Sequence, residues 1–244
     1  MKIVVISLKR ATERRATITK QLDELSLDYQ IFNAIDAEVP CHLHHDKRRD
    51  KSTVRRLGYK LVAGEVACYA SHYEVWELAV TLDEPVLVIE DNVKLLPGFK
   101  QALASLKEAT HRHHYIKLFA YFPRQDQLAE SLSERLKLYR SRKRYSGAQG
   151  YIITPYAAKR FISASQGGFY EPVDDFMEKP YKHSIKTVVT KPNLVERLAI
   201  KSTISSASVQ RKDKSGASLL TKLGNEAFRS YEKLRNKIES LKTL

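Results

Sequence analysis

Residues 86–93 read VLVIEDNV, an apolar run that ends abruptly on Glu90, Asp91 and Asn92. Four consecutive apolar residues, three of them β-branched and opened by Pro85, predict a buried, central strand. The chain's opening supplies the frame for it. KIVVISL (residues 2–8) is another short β-branched run. Residues 11–25 carry Ala11, Ile18, Leu22 and Leu25 at helical spacing, and DYQIFNAID (28–36) reads as a second strand. Strand–helix–strand predicts an α/β fold with a mainly parallel central sheet.

In open α/β sheets, ligands bind beyond the C-terminal ends of the strands, which is where Glu90, Asp91 and Asn92 fall. A solvated turn is the competing reading, because Asn and Asp are turn formers. Adjacent carboxylates repel, however, and a shared hard cation relieves that repulsion. Mn²⁺ or Mg²⁺ takes oxygen ligands and can bridge to a diphosphate. Glu90, Asp91 and Asn92 are therefore candidate metal ligands, and metal held there would stabilise charge on a departing nucleotide diphosphate.

The remaining pattern continues the alternation. GEVACYASHYEVWELAV (64–80) has helical spacing, LPGFKQALASLKEA (96–109) is a link and a helix, and YIKLFAYF (115–122) is a strand. AESLSERLKLYRSRKRY (129–145) is polar and basic. GAQGYIITPYAAKRFISAS (147–165) reads as a turn, a short strand and a helix begun at Pro155. EPVDDFMEKPYKHS (171–184) predicts a short helix and IKTVVTKP (185–192) a strand. Residues 39–59 are basic and irregular, a solvated loop or a mobile loop over a site. The His42, His44 and His45 run within it lacks a defined partner and carries little weight as a metal site.

The chain has 244 residues and a formal net charge of +14, which favours an anionic partner: nucleic acid, an acidic membrane or a phosphorylated ligand. No zinc-knuckle, helix-turn-helix or RNP signature supports nucleic acid. No stretch approaches the roughly 18 apolar residues of a spanning helix, and the N-terminus reads as a strand rather than a signal peptide. Cys41 and Cys68 form no disulfide or metal pattern, so a reduced, cytoplasmic setting is expected.

The tail has its own period. Residues 201–217 are serine-rich and basic, with a flexible linker expected at 206–217. In 218–244, Leu220, Leu223, Ala227, Tyr231, Leu234, Ile238 and Leu241 recur every three or four residues among Lys222, Arg229, Lys233, Arg235, Lys237 and Lys242. This is a basic amphipathic helix. It suits an anionic membrane surface; packing on the preceding domain and pairing with a second copy, as a homodimer, are the alternatives.

Five segments, in order, resemble glycosyltransferase family 25: ISLKRATERR (6–15), GEVACYASHYEVW (64–76), VLVIEDNVKLLPGF (86–99), GAQGYIITPYAAKRF (147–161) and PVDDFM (172–177). The resemblance spans roughly residues 2 to 205. It implies a GT-A-like nucleotide-sugar-binding fold, a UDP-sugar donor, commonly UDP-galactose, and transfer with inversion to a lipooligosaccharide or related lipid-linked saccharide. It also implies a site on the cytoplasmic face of the inner membrane. The family usually reads E-D-D where this chain reads E-D-N. Asn92 offers an amide oxygen but no charge, so Glu90 or Asp91 would carry more of the metal's binding.

Other site residues follow from the residues themselves, and the resemblance strengthens Ser71 and His72. Ser7, Arg10, Arg14, Ser71, His72, Glu90 and Asp91 are expected on the donor side; surface charge is an equal reading of Arg10 and Arg14, and a structural role the plainer reading of His72. Gly147, Gln149 and Gly150 are expected on the acceptor side, where glycine permits close backbone approach and glutamine both donates and accepts. Asp174 is the first candidate for general base and Asp175 the second; helix N-terminal acids are the plainer reading of both. Trp76 is expected in the core. Two rival readings stand beside the enzyme: a scaffold protein with catalysis weakened by Asn92, and a nucleic-acid binder suggested by charge alone.

Overall fold

A computed structural model describes residues 1–120, 126–141, 144–198 and 219–241. The expected linker at 206–217 lies outside the described residues. Eight strands form one sheet: β1 (Lys2–Ser7), β2 (Gln30–Asn33), β3 (Val86–Glu90), β5 (Tyr115–Lys117), β6 (Asp126–Ser131), β7 (Lys137–Ser141), β8 (Gly150–Ile153) and β9 (Val188–Lys191). Their order is β2-β1-β3-β8-β5-β9-β7-β6. Short strands β4 (Val93–Leu95) and β10 (Val195–Arg197) pair separately and antiparallel.

The sheet is mixed, which corrects the expectation of a mainly parallel one. β1 pairs parallel with β2 and β3, and β5 with β9. β8 runs antiparallel between β3 and β5, and β6 and β7 close the far edge antiparallel. The edge escaped the sequence reading because β6 exposes residues on both faces, so no apolar alternation marks it. A parallel pair needs a helical crossover. The N-terminal third has those crossovers, and the β6–β7 segment has none.

Side-chain alternation along the strands sorts the core into two layers. Val4, Ile6, Val86 and Val88 face α3 (Ala63–Leu82), α5 (Pro155–Ala164) and α6 (Val173–Met177). Ile3, Val5, Leu87 and Ile89 face α1 (Thr12–Glu24) and α4 (Phe99–Ala109). β3 is buried on both faces, as its unbroken apolar run requires. Trp76 is fully buried, as expected of a core residue.

The basic stretch 39–59 is more ordered than a loop. It holds a 3₁₀ turn at His45–Lys47 and α2 (Asp50–Leu57), which ends on Gly58 at φ +81°. That left-handed end is the usual glycine stop for a helix. The single helix expected over 171–184 is two, α6 and α7 (Pro180–His183). The C-terminal helix α8 (Leu219–Leu241) is as expected, and it packs beside α2 and α7. No helix among the described residues is long and apolar enough to cross a membrane.

Candidate active site

The C-terminal ends of β1 and β3, the segment after β2 and the first half of α3 surround one cleft. Glu90 ends β3, and Asp91 and Asn92 form the turn that follows, where Asn92 folds back onto Glu90. The Asn92 amide Nδ2 donates to Glu90 Oε2 at 3.1 Å. Asn92 Oδ1 is buried with no hydrogen-bond partner, a costly state for an amide oxygen unless a ligand satisfies it.

Asp91 is committed elsewhere. Ser7 Oγ donates to its Oδ2 at 2.7 Å, and Arg14 Nη1 lies 3.6 Å from its Oδ1. Burial raises its carboxyl above the usual range, while Ser7 and Arg14 pull it back down. Arg15 braces this wall, donating to the Ser7 carbonyl at 3.0 Å and to Asn33 Oδ1 at 2.9 Å. Of the three expected metal ligands, then, Glu90 and Asn92 are together and Asp91 belongs to the Ser7–Arg14 wall.

α3 brings His72 and Cys68, one turn apart, under Glu90. His72 Nε2 is 3.4 Å from Glu90 Oε1, and its Nδ1 is 2.9 Å from the Tyr151 hydroxyl. Tyr151 also accepts from Trp76 Nε1 at 3.1 Å, so its hydroxyl ties both rings together. The donor atoms of Cys68, His72 and Glu90 lie within 4.8 Å of one another. Thiol, imidazole and carboxylate, with the unsatisfied Asn92 oxygen beside them, form a set that can hold a divalent cation. This corrects the expectation that Cys68 has no part in a metal pattern; its i−4 spacing from His72 was the available signal.

The other expected donor residues line the same cleft. Ser71 Oγ accepts from the Ile35 N–H at 2.8 Å and so fixes the segment after β2. Arg10 sits at the rim, its Nε 2.6 Å from Asp36 Oδ2 and its Nη2 2.9 Å from Glu38.

Asp174, in the first turn of α6, accepts from the Gly147 N–H at 3.1 Å. Charge at both Glu90 and Asp174 helps, after burial, to push the Cys68 thiol well above its ordinary range, so Cys68 is within electrostatic reach of both carboxylates. The loop holding Gly147 is fastened by Lys117, a fully buried lysine on β5. Its Nζ donates to the carbonyls of Tyr145, Ser146 and Gly147 at 2.9, 3.1 and 2.7 Å and lies 3.4 Å from Glu178. Nothing in the sequence reading singled out this lysine.

The expected acceptor residues separate. Gly147 and Gln149 flank the site: the Gln149 carbonyl accepts from the Glu90 N–H at 2.9 Å, and Gln149 Oε1 is buried and unpartnered. Gly150 instead lies in the sheet, where a Cβ would meet Val195 Cγ2 at 2.8 Å. Its glycine is explained by packing, not by an acceptor. Asp175 is half-buried; burial and the Asp174 charge push its carboxyl up to about 6 against the pull of Lys179.

The His42–His45 run acquires a partner. His44 Nε2 is 2.6 Å from Glu74 Oε1, and His44, Glu74 and Glu77 form a second cluster of donor atoms within 4.8 Å. Burial and Glu74 raise the Glu77 carboxyl, partly offset by His44 and Lys47, and the His44–Glu74 pair accounts for this cluster.

The model of glycosyltransferase family 25 (LPS biosynthesis protein) matches residues 1–177. A glycosyltransferase 25 family member of Aedes aegypti is 32% identical over 189 residues, covering 72% of this chain and 30% of that protein. Human procollagen galactosyltransferase 2 is 26% identical over 196 residues, covering 75% of this chain and 31% of its own length. The chain thus spans about a third of the length of these curated relatives. A solved glycosyltransferase involved in glycosylation of the major capsid of PBCV-1 superposes with a TM-score of 0.43 at 9% identity, covering 94% of this chain and 100% of that one. That likeness is too distant to carry an argument.

Proposed function

The chain belongs to glycosyltransferase family 25, and on that premise we propose that it is a hexosyltransferase. It moves a sugar, galactose in the first instance, from a UDP-sugar to a lipid-linked saccharide with inversion. The observation that carries this reading is the orphaned Asn92 oxygen beside Glu90, at the strand end where an α/β sheet binds its ligand. Galactose is favoured by the family resemblance and by the human relative, a procollagen galactosyltransferase.

Glu90 and Asn92 supply the oxygens that would hold Mn²⁺ or Mg²⁺, with His72 bearing on Glu90 from behind. Bound there, a divalent cation offsets negative charge on the leaving diphosphate. Arg14 and Arg10 add fixed positive charge along the same cleft. Ala34, Ile35 and Ala37 give it apolar walls, with Asp36 as a polar anchor. Gly147 holds one oxygen of Asp174, which leaves the other free to take the acceptor hydroxyl's proton. That hydroxyl oxygen bonds to the anomeric carbon as the bond to the diphosphate breaks on the opposite side. Gln149 Oε1 can accept from a sugar hydroxyl.

We place the enzyme peripherally on the cytoplasmic face of the inner membrane, where a lipid-linked acceptor is met. Titration calorimetry with UDP-galactose, UDP-glucose and UDP-N-acetylglucosamine, paired with UDP release with and without Mn²⁺, tests the reading. Mn²⁺-dependent binding and release with UDP-galactose foremost is expected. Binding without release under any acceptor would favour the scaffold reading that Asn92 motivates; failure to bind any nucleotide sugar would overturn both.

A further inference from the structure

We propose that the outward face of α8 is a docking surface for an anionic lipid membrane. An amphipathic helix ordinarily turns its apolar stripe toward the body it packs on. α8 does the reverse. Leu223, Tyr231, Leu234 and Ile238, on one face of the helix, are 60, 48, 57 and 42% exposed. These four side chains therefore do not pack on the catalytic body.

The face that meets the body is polar. Asn225 and Glu232 are buried. Glu232 receives Lys179 Nζ at 2.5 Å, the Tyr181 hydroxyl at 2.6 Å and Arg144 Nη2 at 3.4 Å. Phe228 lies 5.4 Å from the Arg56 guanidinium of α2. Charge latches the helix in place and leaves four large apolar side chains in water, a costly arrangement for a monomer with no partner there.

Charge also selects the occupant. The chain carries +14 overall. Between 219 and 241 stand Lys222, Arg229, Lys233, Arg235 and Lys237 against Glu226, Glu232 and Glu239, and Glu232 is turned inward. Lys222, Lys233 and Arg235 are exposed beside the stripe, and neighbouring α2 adds exposed Lys51 and Arg55. An apolar strip bordered by cations is the composition of a helix lying in an anionic membrane interface. A second copy of α8 would set these cations against their own kind. The latch ties α8 to the chain near the proposed acceptor wall: Arg144 precedes the loop that holds Gly147, and Lys179 follows α6 with Asp174.

The test is co-sedimentation of the full chain with vesicles of phosphatidylcholine alone or mixed with phosphatidylglycerol, at low and high salt. Leu234→Glu with Ile238→Glu serves as the stripe variant; both side chains are exposed, so the fold is retained, as circular dichroism checks. Expected is binding to the mixed vesicles at low salt, weakened by high salt and reduced at least tenfold in the variant. No binding of the unaltered chain, equal binding of chain and variant, or equal binding to neutral vesicles would overturn the proposal. So would a dimer, by light scattering, that the variant converts to monomer without any vesicle binding.

Discussion

The Asn92 side chain donates to Glu90 through its nitrogen, at 3.1 Å, and keeps its oxygen buried and unpaired. Asp91, between them in sequence, is turned to Ser7 and Arg14. The proposed cation site thus rests on the motif's first and third positions. Glu90→Gln is expected to weaken Mn²⁺-dependent UDP binding by at least the roughly 10–100-fold that loss of an outer-shell partner costs. Asn92→Asp is expected to tighten it. Calorimetry with and without Mn²⁺ reads both, and unchanged affinity in both variants would remove the assignment.

Asp91 has a different expected signature. Asp91→Ala strands the Ser7 hydroxyl and Arg14 in a buried wall. Its cost is expected to fall on stability, about 1–3 kcal/mol as for other buried groups left unpaired. Thermal unfolding of the free protein measures it. A large loss of Mn²⁺ affinity with unaltered stability would instead make Asp91 a ligand.

Asp174→Asn is expected to lower turnover by roughly 10²–10⁴-fold, the range usual for an acid–base group. Donor binding should survive, because Asp174 touches the Gly147 loop and not the Glu90 cluster. Single-turnover transfer together with UDP calorimetry separates the two. Near-normal turnover would move the base to Asp175.

The βαβ opening and β3 were legible because their burial is continuous and local: β1 and β3 are apolar along nearly their whole length. The sheet's far half was not. β6 lies at an edge with both faces partly wet, and β8 reverses direction through long-range pairing that leaves no local signal. At the site, the expected Glu90, Asn92 and His72 line one cleft, but the sequence could not show that Asp91, in the turn after β3, is tied to Ser7 and Arg14, because those partners lie more than seventy residues away. Gly150 illustrates the opposite confusion. A glycine wanted for packing against Val195 looks the same in sequence as one wanted for a ligand. Lys117 stayed hidden because its partners are backbone carbonyls some thirty residues away.

Asp175 gives the fold a pH dependence with a definite sign. Its carboxyl is pushed from 3.8 up to about 6 by burial and by Asp174, with Glu171 adding to the push and Lys179 and Arg144 opposing it. Between those values the folded chain holds a proton that the unfolded chain has released. This group's contribution is therefore complete below about pH 4, falls as pH rises through about 6 and is gone above. A carboxyl raised that far corresponds to on the order of 3 kcal/mol, taken as an upper figure. Asp175→Asn keeps the shape and removes the charge, so it is expected to match the unaltered chain at pH 4 and to exceed it in stability at pH 7.5. Urea unfolding at the two values measures the difference. Parallel stability curves for the two proteins would mean that Asp175 ionises in the fold at no cost, with Lys179 and Arg144 supplying full compensation.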